Sequence, residues 1–94
     1  MKATPVLRIK EAGYGGIVEI AIWRLPAPVP PCTHYYKYRI VFVKNGRRIV
    51  GFDNERGKDD HRHLDDVESP YRLVDVQTLL VDFWREVDFK SESS

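Results

Sequence analysis

Ninety-four residues, of which 43% are hydrophobic and 12% aromatic, are enough for one packed domain and too few for two. The single cysteine excludes an internal disulfide, and without a signal peptide or a long apolar run the chain is expected in the cytoplasm rather than in a membrane or outside the cell. The net charge is +1, but residues 1–50 carry nine basic and two acidic residues whereas residues 51–94 carry six basic and twelve acidic ones. Either the basic first half attracts a partner that contains phosphate, or the two halves pair with each other in the fold.

The chain begins with a pattern that predicts a β-hairpin. Leu7 and Ile9 alternate with charged residues, a glycine-rich turn follows at 13–16, and residues 17–25 are rich in β-branched side chains. The next segment, 26–32, contains four prolines. It is predicted as a loop, because proline cannot pair within a central strand.

A second hairpin is predicted within residues 34–54. An Asn-Gly dipeptide at 45–46 separates two β-rich runs, and both of its residues tolerate the positive φ angles of a two-residue turn. A regular ladder extending from this turn places Tyr38 opposite Asp53, on one face of the sheet.

Near the C-terminus the pattern changes to that of a helix. Asp75 is the expected N-cap, and apolar residues follow from Val76 to Val87 at the spacing of one helical face. Residues 71–74, directly before the cap, are predicted as a short final strand.

These elements together predict an α+β domain. We expect a four- to five-stranded antiparallel sheet, built from two hairpins and covered by one C-terminal amphipathic helix. The whole chain, 1–94, is predicted as a single domain with an ordered core over about 5–89 and a frayed tail at 90–94. Because one helix leaves a sheet face incompletely covered, a homodimer is also predicted.

Between the second hairpin and the helix lies a segment dense in ionisable side chains, which is predicted as a polar loop. Residues 51–63 read GFDNERGKDDHRH and hold nine of them, directly after a run predicted as a buried strand. The general-base candidates are His61, His63, Asp53 and Glu55, and the cations able to hold a phosphate are Arg56, Lys58 and Arg62. Histidine suits proton transfer because its unperturbed pKa is about 6.5. The segment is therefore equipped to cleave a phosphodiester without a metal ion or other cofactor.

Two other functions stay open at this point. His61 and His63, with Asp59, Asp60 and Asp65 nearby, could bind a metal ion and hydrolyse a phosphoester, which requires an extended backbone that puts both imidazoles on one face. Alternatively, the segment is the recognition surface of a non-catalytic binding module or adaptor. A chelator distinguishes the metal enzyme from acid–base cleavage, and consumption of RNA distinguishes either enzyme from a binding module.

The order of four segments also resembles a known family. They are IWRLPAPVP at 22–30, the hairpin and charged segment at 34–63, ESPYR at 68–72 and LLVDFWREV at 79–87. In this order they resemble the TumE family of small bacterial toxins from two-gene toxin–antitoxin modules, and DNERGKDDHRH at 53–63 is the most specific part. The resemblance implies a cytoplasmic prokaryotic protein that inhibits growth when produced alone and that binds a cognate antitoxin protein encoded beside it.

Carrying the family pattern onto this sequence implies the full set of site residues. The set consists of Asp53, Glu55, Arg56, Lys58, His61, Arg62 and His63, with Glu68 and Tyr71 in supporting or substrate-binding roles. Among them, His61 is the preferred proton-transfer group, and Arg56 and Lys58 are the preferred phosphate-binding residues. By analogy with RelE-like toxins, which are also small sheet-plus-helix proteins, the expected activity is a metal-independent endoribonuclease acting on RNA.

Overall fold

A computed structural model describes residues 3–55 and 58–93, and its main feature is one antiparallel sheet with a helix on one side. The strands are β1 (Thr4–Gly13), β2 (Gly16–Arg24), β3 (Tyr36–Lys44), β4 (Arg47–Glu55), β5 (Lys58–Leu64) and β6 (Val67–Pro70), and the helix is α1 (Val76–Ser93). Each strand pairs with the next one in the chain. The α+β class and the C-terminal helix are confirmed, but the sheet has six strands rather than the predicted four to five.

The additional strands lie in the segment that sequence patterns predicted as a polar loop. β5 consists of KDDHRHL and β6 of VESP, so neither has the β-branched and aromatic composition typical of strands. They form because β4 offers β5 a row of unpaired backbone groups, and β5 then offers the same to β6. Residues 71–74, predicted as a final strand, belong to neither a strand nor a helix.

The β3–β4 hairpin turns at residues 45–46, whose φ angles of 55° and 74° confirm the predicted two-residue turn. Its ladder is not regular, because the register shifts next to Phe42. As a result, Asp53 pairs with Arg39 and not with Tyr38. A shift of one residue exchanges the two faces of a strand, so the predicted placement of Tyr38 and Asp53 on the same face is wrong.

The hydrophobic core lies between the sheet and α1. Leu79, Phe83 and Val87 of α1 are fully buried against apolar side chains of β2, β3 and β4. The buried strand residues are Val18, Ile20, Ile22, Tyr38, Ile40, Phe42, Val50 and Phe52. Asp75 caps the helix as predicted, since its Oδ1 accepts a hydrogen bond from the Thr78 amide at 2.6 Å.

The opposite surface of the sheet, here called the open face, has no helix over it in the residues that the structure describes. It is formed by the side chains that alternate with the core residues along each strand. One cross-strand row on this face follows the register from Arg8 through Ala21, Arg39 and Asp53 to His61. Within 3–55 and 58–93, no helix is both long and apolar enough to cross a membrane.

A close backbone approach at Gly16 gives the first prediction. A Cβ atom at this position would lie 2.3 Å from the Val43 carbonyl oxygen and 3.0 Å from Phe42 Cε1. Gly16→Ala is therefore expected to force β2 away from β3 and to lower the free energy of unfolding by about 1–3 kcal/mol. Chemical denaturation measures this change.

Gly13 provides the matched control, because it pairs with Gly16 across the first hairpin and a Cβ there would meet nothing within 4 Å. Gly13→Ala is expected to leave stability unchanged or to raise it by up to about 1 kcal/mol, since alanine restricts the unfolded chain. Equal destabilisation by both substitutions would contradict the steric explanation.

Candidate functional site

Three residues of the predicted site meet on the open face, where β4 and β5 run side by side. Asp53 pairs with His61 and Gly51 with His63, so the three side chains project from the same face of the two strands. His61 Nε2 lies 2.5 Å from Asp53 Oδ1, and His63 Nε2 lies 3.6 Å from the same oxygen. The two imidazoles meet edge to face with ring centroids 4.8 Å apart. Two histidines separated by one residue share this face because β5 is extended.

The protonation of His61 follows from its contacts. Its Nδ1 lies 2.9 Å from the backbone carbonyl oxygen of Asp59, and since a carbonyl only accepts hydrogen bonds, Nδ1 carries a proton. The other ring nitrogen faces the carboxylate of Asp53, and a bare lone pair at 2.5 Å from a carboxylate oxygen is repulsive. A proton carried by one of these two atoms removes the repulsion.

Asp53 Oδ1 is the carboxylate oxygen at the centre of the site. It is buried, and it accepts no hydrogen bond of regular geometry from any described group, although both imidazole nitrogens lie close to it. The contact with His61 is therefore better described as an ion pair than as a directed hydrogen bond. A buried carboxylate in this position favours positive charge on its neighbour.

The surroundings of His63 favour its neutral form. Burial lowers the pKa of His63, and the nearby Arg48 cation and His61 lower it further, while Asp53 and Glu68 act in the other direction. Arg48 reaches this position because residue 51 is a glycine: a Cβ on Gly51 would lie 3.0 Å from Arg48 Cδ. His63 is therefore neutral at pH 7 and holds a free lone pair for a proton.

The effect of Arg48 on His63 is directly testable. Arg48→Gln is expected to raise the pKa of His63 towards its ordinary value, because the substitution removes a cation that disfavours imidazolium. Titration of the His63 ring carbons by NMR measures this shift.

The matched control is Arg47→Gln, which removes an equal charge from the neighbouring residue. Arg47 Nη2 contacts Asp66 Oδ2 at 2.8 Å near the hairpin turn. The pKa of His63 should be the same in this control as in the wild type. An unchanged titration in Arg48→Gln would show that burial alone lowers the pKa.

Glu68, the predicted supporting residue, also reaches the site. It pairs with His63 across β5 and β6, and its Oε1 lies 3.9 Å from His61 Nε2. Its side chain is 51% exposed, so it lies where the site opens to solvent. An open depression of about 590 Å³ begins here and is lined by Asp59, Asp60, His61, Glu68, Ser69 and Pro70. The depression therefore gives access to His61 from solvent.

Other predicted site residues are not brought to this cluster. Arg62 pairs with the buried Phe52 and so faces the helix side of the sheet. Tyr71 packs edge to face on Phe52 at 4.9 Å, and its hydroxyl donates a hydrogen bond to Asp82 Oδ2 at 2.6 Å. Tyr71 is therefore held against α1, and Arg62 lies on the face of β5 opposite to His61 and His63.

The remaining predicted residues cannot be placed relative to the site. Arg56 lies outside the described residues. Glu55 and Lys58 pair at the ends of β4 and β5, but their side chains are also outside the described part of the chain.

A second polar cluster, not predicted from the sequence, lies on the helix side of β5. His34 Nε2 is 2.8 Å from Asp60 Oδ1, and Cys32 Sγ is 3.5 Å from the same oxygen. The Tyr36 amide donates to His34 Nδ1 at 3.1 Å, so the proton of the neutral ring is on Nε2 and bonds to Asp60. Burial raises the pKa of the Cys32 thiol to about 11, which leaves it unreactive at neutral pH.

The second cluster is therefore a satisfied hydrogen-bond network that attaches the proline-rich loop to β5. No sequence signal pointed to it, because Asp60 is 26 residues from His34 and belongs to the segment predicted as a loop. Asp60 does not join His61 and His63, because it projects from the other face of the same strand.

The cluster on the open face also has the composition of a metal site. The ligand atoms of Asp53, His61 and His63 all lie within 4.8 Å of one another, so these three side chains fit a metal ion. The acids that the sequence suggested as ligands are elsewhere, since Asp60 bonds to His34 and Asp65 Oδ2 contacts Lys90 Nζ at 2.5 Å. The atoms of Cys32, His34 and Asp60 also converge, but the His34 tautomer gives that group hydrogen bonds rather than a free ligand atom.

Comparison with known proteins identifies one family. A family model described as Toxin TumE matches residues 2–90 of the 94-residue chain. Neither the curated proteins nor the solved structures include a significant match. The match covers every strand and most of α1, so it includes the cluster on the open face.

Proposed function

The chain belongs to the TumE toxin family, and from this premise we propose that it is the toxin of a prokaryotic toxin–antitoxin module and cleaves RNA at the Asp53–His61–His63 cluster without a metal ion. Membership of the family implies a toxin role and an antitoxin partner. The observation that supports cleavage is the meeting of two imidazoles, His61 and His63, beside one carboxylate oxygen of Asp53, with their ring centroids 4.8 Å apart.

Such a pair supplies both proton transfers of phosphodiester cleavage. His63 takes the proton of the ribose 2′-hydroxyl as the 2′-oxygen forms a bond to phosphorus. His61 donates its Nε2 proton to the 5′-oxygen as the bond from phosphorus to that oxygen breaks. The products are a 2′,3′-cyclic phosphate and a 5′-hydroxyl end, so all atoms and charges balance without water or a cofactor.

The neighbouring residues hold these two groups in the required states. Asp53 stabilises the imidazolium form of His61 before the reaction, and the Asp59 carbonyl fixes the orientation of the ring. Arg48 keeps His63 neutral and lies close enough to the site to attract the negatively charged phosphate. In this assignment both histidines transfer a proton, His63 as the base and His61 as the acid.

The test uses the purified full-length chain with an RNA oligonucleotide, its 2′-O-methyl counterpart, and a chelator. We expect cleavage of the RNA only, at the same rate with and without chelator, with cyclic phosphate at the new 3′ end. Expression of the same chain in cells is expected to arrest growth and to deplete messenger RNA. Growth arrest with intact RNA, both in cells and in the purified reaction, would instead identify a toxin that acts by binding.

A metal-dependent phosphoesterase is the second candidate, and one observation favours it. A hydrogen bond from Nδ1 to a backbone carbonyl, as in His61, is how proteins commonly orient a histidine whose Nε2 binds a metal ion. In that case Asp53, His61 and His63 would hold the ion, which would activate a water molecule as the nucleophile. Loss of cleavage in chelator, and products without a cyclic phosphate, would favour this candidate over acid–base cleavage.

A further inference from the structure

A group of cations lies on the open face beside the catalytic cluster. This basic patch consists of Arg8, Lys10, Lys37 and Arg39, together with the aromatic ring of Trp23. The register places all five residues on the open face of β1, β2 and β3, and Glu19 is the one acidic residue that the described parts of these strands add to it. The basic first half of the sequence is therefore concentrated on one side of the fold.

The charges of the basic patch are largely uncompensated. Arg8, Lys10 and Arg39 are exposed, and no ion pair among the described residues includes any of them. Lys37 is oriented towards β4, because its Nζ donates a hydrogen bond to the backbone carbonyl of Asn54. An excess of unpaired cations on one sheet face is suited to a polyanion.

Trp23 adds an aromatic surface to these charges. The guanidinium carbon of Arg8 lies 5.2 Å from the centre of the indole ring, which is a cation–π contact. Trp23 is partly buried, so its position is fixed while one part of the ring stays accessible. Proteins that bind single-stranded nucleic acid combine these two features, stacking bases on aromatic rings and holding the backbone with cations.

The basic patch is aligned with the catalytic residues. Arg8, Arg39, Asp53 and His61 lie in one row across the strands, connected through Ala21. With a spacing of about 4.8 Å between strands, Arg39 is one strand away from Asp53 and Arg8 is roughly 19 Å from His61. A few nucleotides of extended single-stranded RNA span this distance.

We propose that the basic patch binds the single strand of RNA on one side of the scissile phosphate, with Arg39 and Arg8 holding successive phosphates and Trp23 stacking a base. This inference rests on the proposed function, because it assigns the substrate path to the same site. The ligand is nucleic acid rather than an acidic protein segment for two reasons. An aromatic ring among cations can stack a base, and the basic patch continues into the cluster that is proposed to cleave a phosphodiester.

The experiment measures binding separately from cleavage. The probe is a fluorescein-labelled 2′-O-methyl RNA of mixed sequence, roughly 12 nucleotides long, which has no 2′-hydroxyl and cannot be cut. Fluorescence anisotropy gives its dissociation constant for the full-length chain between about 50 and 200 mM salt. The variants are Arg8→Gln/Arg39→Gln and Trp23→Ala, each checked for folding by its thermal unfolding.

The two variants should differ in a characteristic way. Arg8→Gln/Arg39→Gln removes two phosphate contacts, so binding should weaken about tenfold and the slope of log K against log salt should become shallower by about 1.4. Trp23→Ala should weaken binding about 5- to 150-fold with no change in this slope, because stacking releases no counterions. Trp23→Phe should recover part of the loss, which a purely structural role for the indole does not require.

The control variant loses two positive charges outside the basic patch. Arg47→Gln/Arg85→Gln changes two exposed arginines that contact Asp66 and Asp82, on the hairpin turn and on α1. This control should bind the probe like the wild type. Equal weakening by the control would mean that net charge alone drives binding, and would overturn the proposal.

Failure of this inference can be told apart from failure of the proposed function. If the unmodified RNA is cut but the basic-patch variants bind the probe like the wild type, the basic patch is not the substrate path and the function stands. If the probe binds through the basic patch but unmodified RNA is never cut, RNA binding stands and cleavage does not. If RNA does not bind at low salt and the basic-patch variants instead lose the antitoxin, the surface serves a protein partner and the proposal is wrong.

Discussion

Replacement of His63 by glutamine is expected to lower the rate of RNA cleavage by about 10²- to 10⁴-fold, the range that one acid or base contributes. Glutamine is of similar size and is uncharged, as is neutral His63, but it has no basic lone pair. The substitution should therefore leave binding of uncleavable RNA nearly unchanged. Single-turnover kinetics with saturating protein measure the rate, and anisotropy measures the binding.

His34→Gln is the matched control for this experiment. His34 is also partly buried and also contacts an aspartate, but it lies on the helix side of the sheet. The folded control should cleave RNA at close to the wild-type rate. A wild-type rate in His63→Gln, with both variants folded, would remove His63 from the mechanism.

The pH dependence of the cleavage rate distinguishes a catalytic role of His63 from a purely structural one. Because burial and Arg48 lower its pKa, the neutral form of His63 is still present somewhat below the ordinary histidine range. Cleavage should therefore persist below pH 6.5 and be lost as the pH falls through the lowered value. This acidic limit should move upward in Arg48→Gln, in parallel with the NMR titration.

Asn54→Ala is expected to lower the free energy of unfolding by about 2–4 kcal/mol, because it leaves two buried backbone groups without partners. Asn54 is 1% exposed; its Oδ1 accepts from the Tyr38 amide at 3.0 Å and its Nδ2 donates to the Tyr36 carbonyl at 2.8 Å. The side chain thus completes the ladder of β3 beyond the last backbone pair, Arg39 with Asp53. Urea denaturation and calorimetry measure the loss, which is a large part of a typical total of about 5–15 kcal/mol.

Asn45→Gly removes the same side-chain amide from an exposed position and serves as the control. Residue 45 has a φ of 55°, which glycine adopts without strain, so the change in stability should stay within about 0.5 kcal/mol. Asn54→Asp is a third test, since a carboxylate can accept from Tyr38 but cannot donate to Tyr36. If Asn54→Ala unfolds like the wild type, water must replace both hydrogen bonds.

The helix and the central hairpin were predictable because their signals are local. The apolar stripe from Val76 to Val87 and the cap at Asp75 depend on residues a few positions apart. The turn at 45–46 depends on two adjacent residues that tolerate positive φ. In each case the residues that determine the structure are neighbours in the chain.

β5 was not predictable because its stability depends on distant partners. Its charged residues are unfavourable for a strand when each is considered alone. In the fold, His61 meets Asp53 on one face and Asp60 meets His34 on the other, so alternate residues find opposite charges or hydrogen-bond partners. The Asp53–His61 contact joins the paired strands β4 and β5, whereas the His34–Asp60 contact depends on a loop residue 26 positions away.

The composition of the candidate site was predictable, but its geometry was not. The density of histidines and carboxylates in 53–63 pointed to a segment in which strand alternation brings His61 and His63 together. The register shift next to Phe42 has no sequence signal, yet it decides that Asp53 faces Arg39 and the open face. Alternation along β5 likewise turns Arg62 towards α1, away from His61 and His63.

The strand order of the sheet has a consequence for how the chain folds. Each strand after β1 pairs with the one made just before it, so every new strand finds its partner already synthesised. The helix comes last, however, and until it is made Ile20, Ile40 and Phe52 remain uncovered. During synthesis, which proceeds from the N-terminus, the nascent sheet is expected to be unstable and prone to aggregate until α1 is released. A chain interrupted before Val76 should therefore be removed rather than accumulate in an active form.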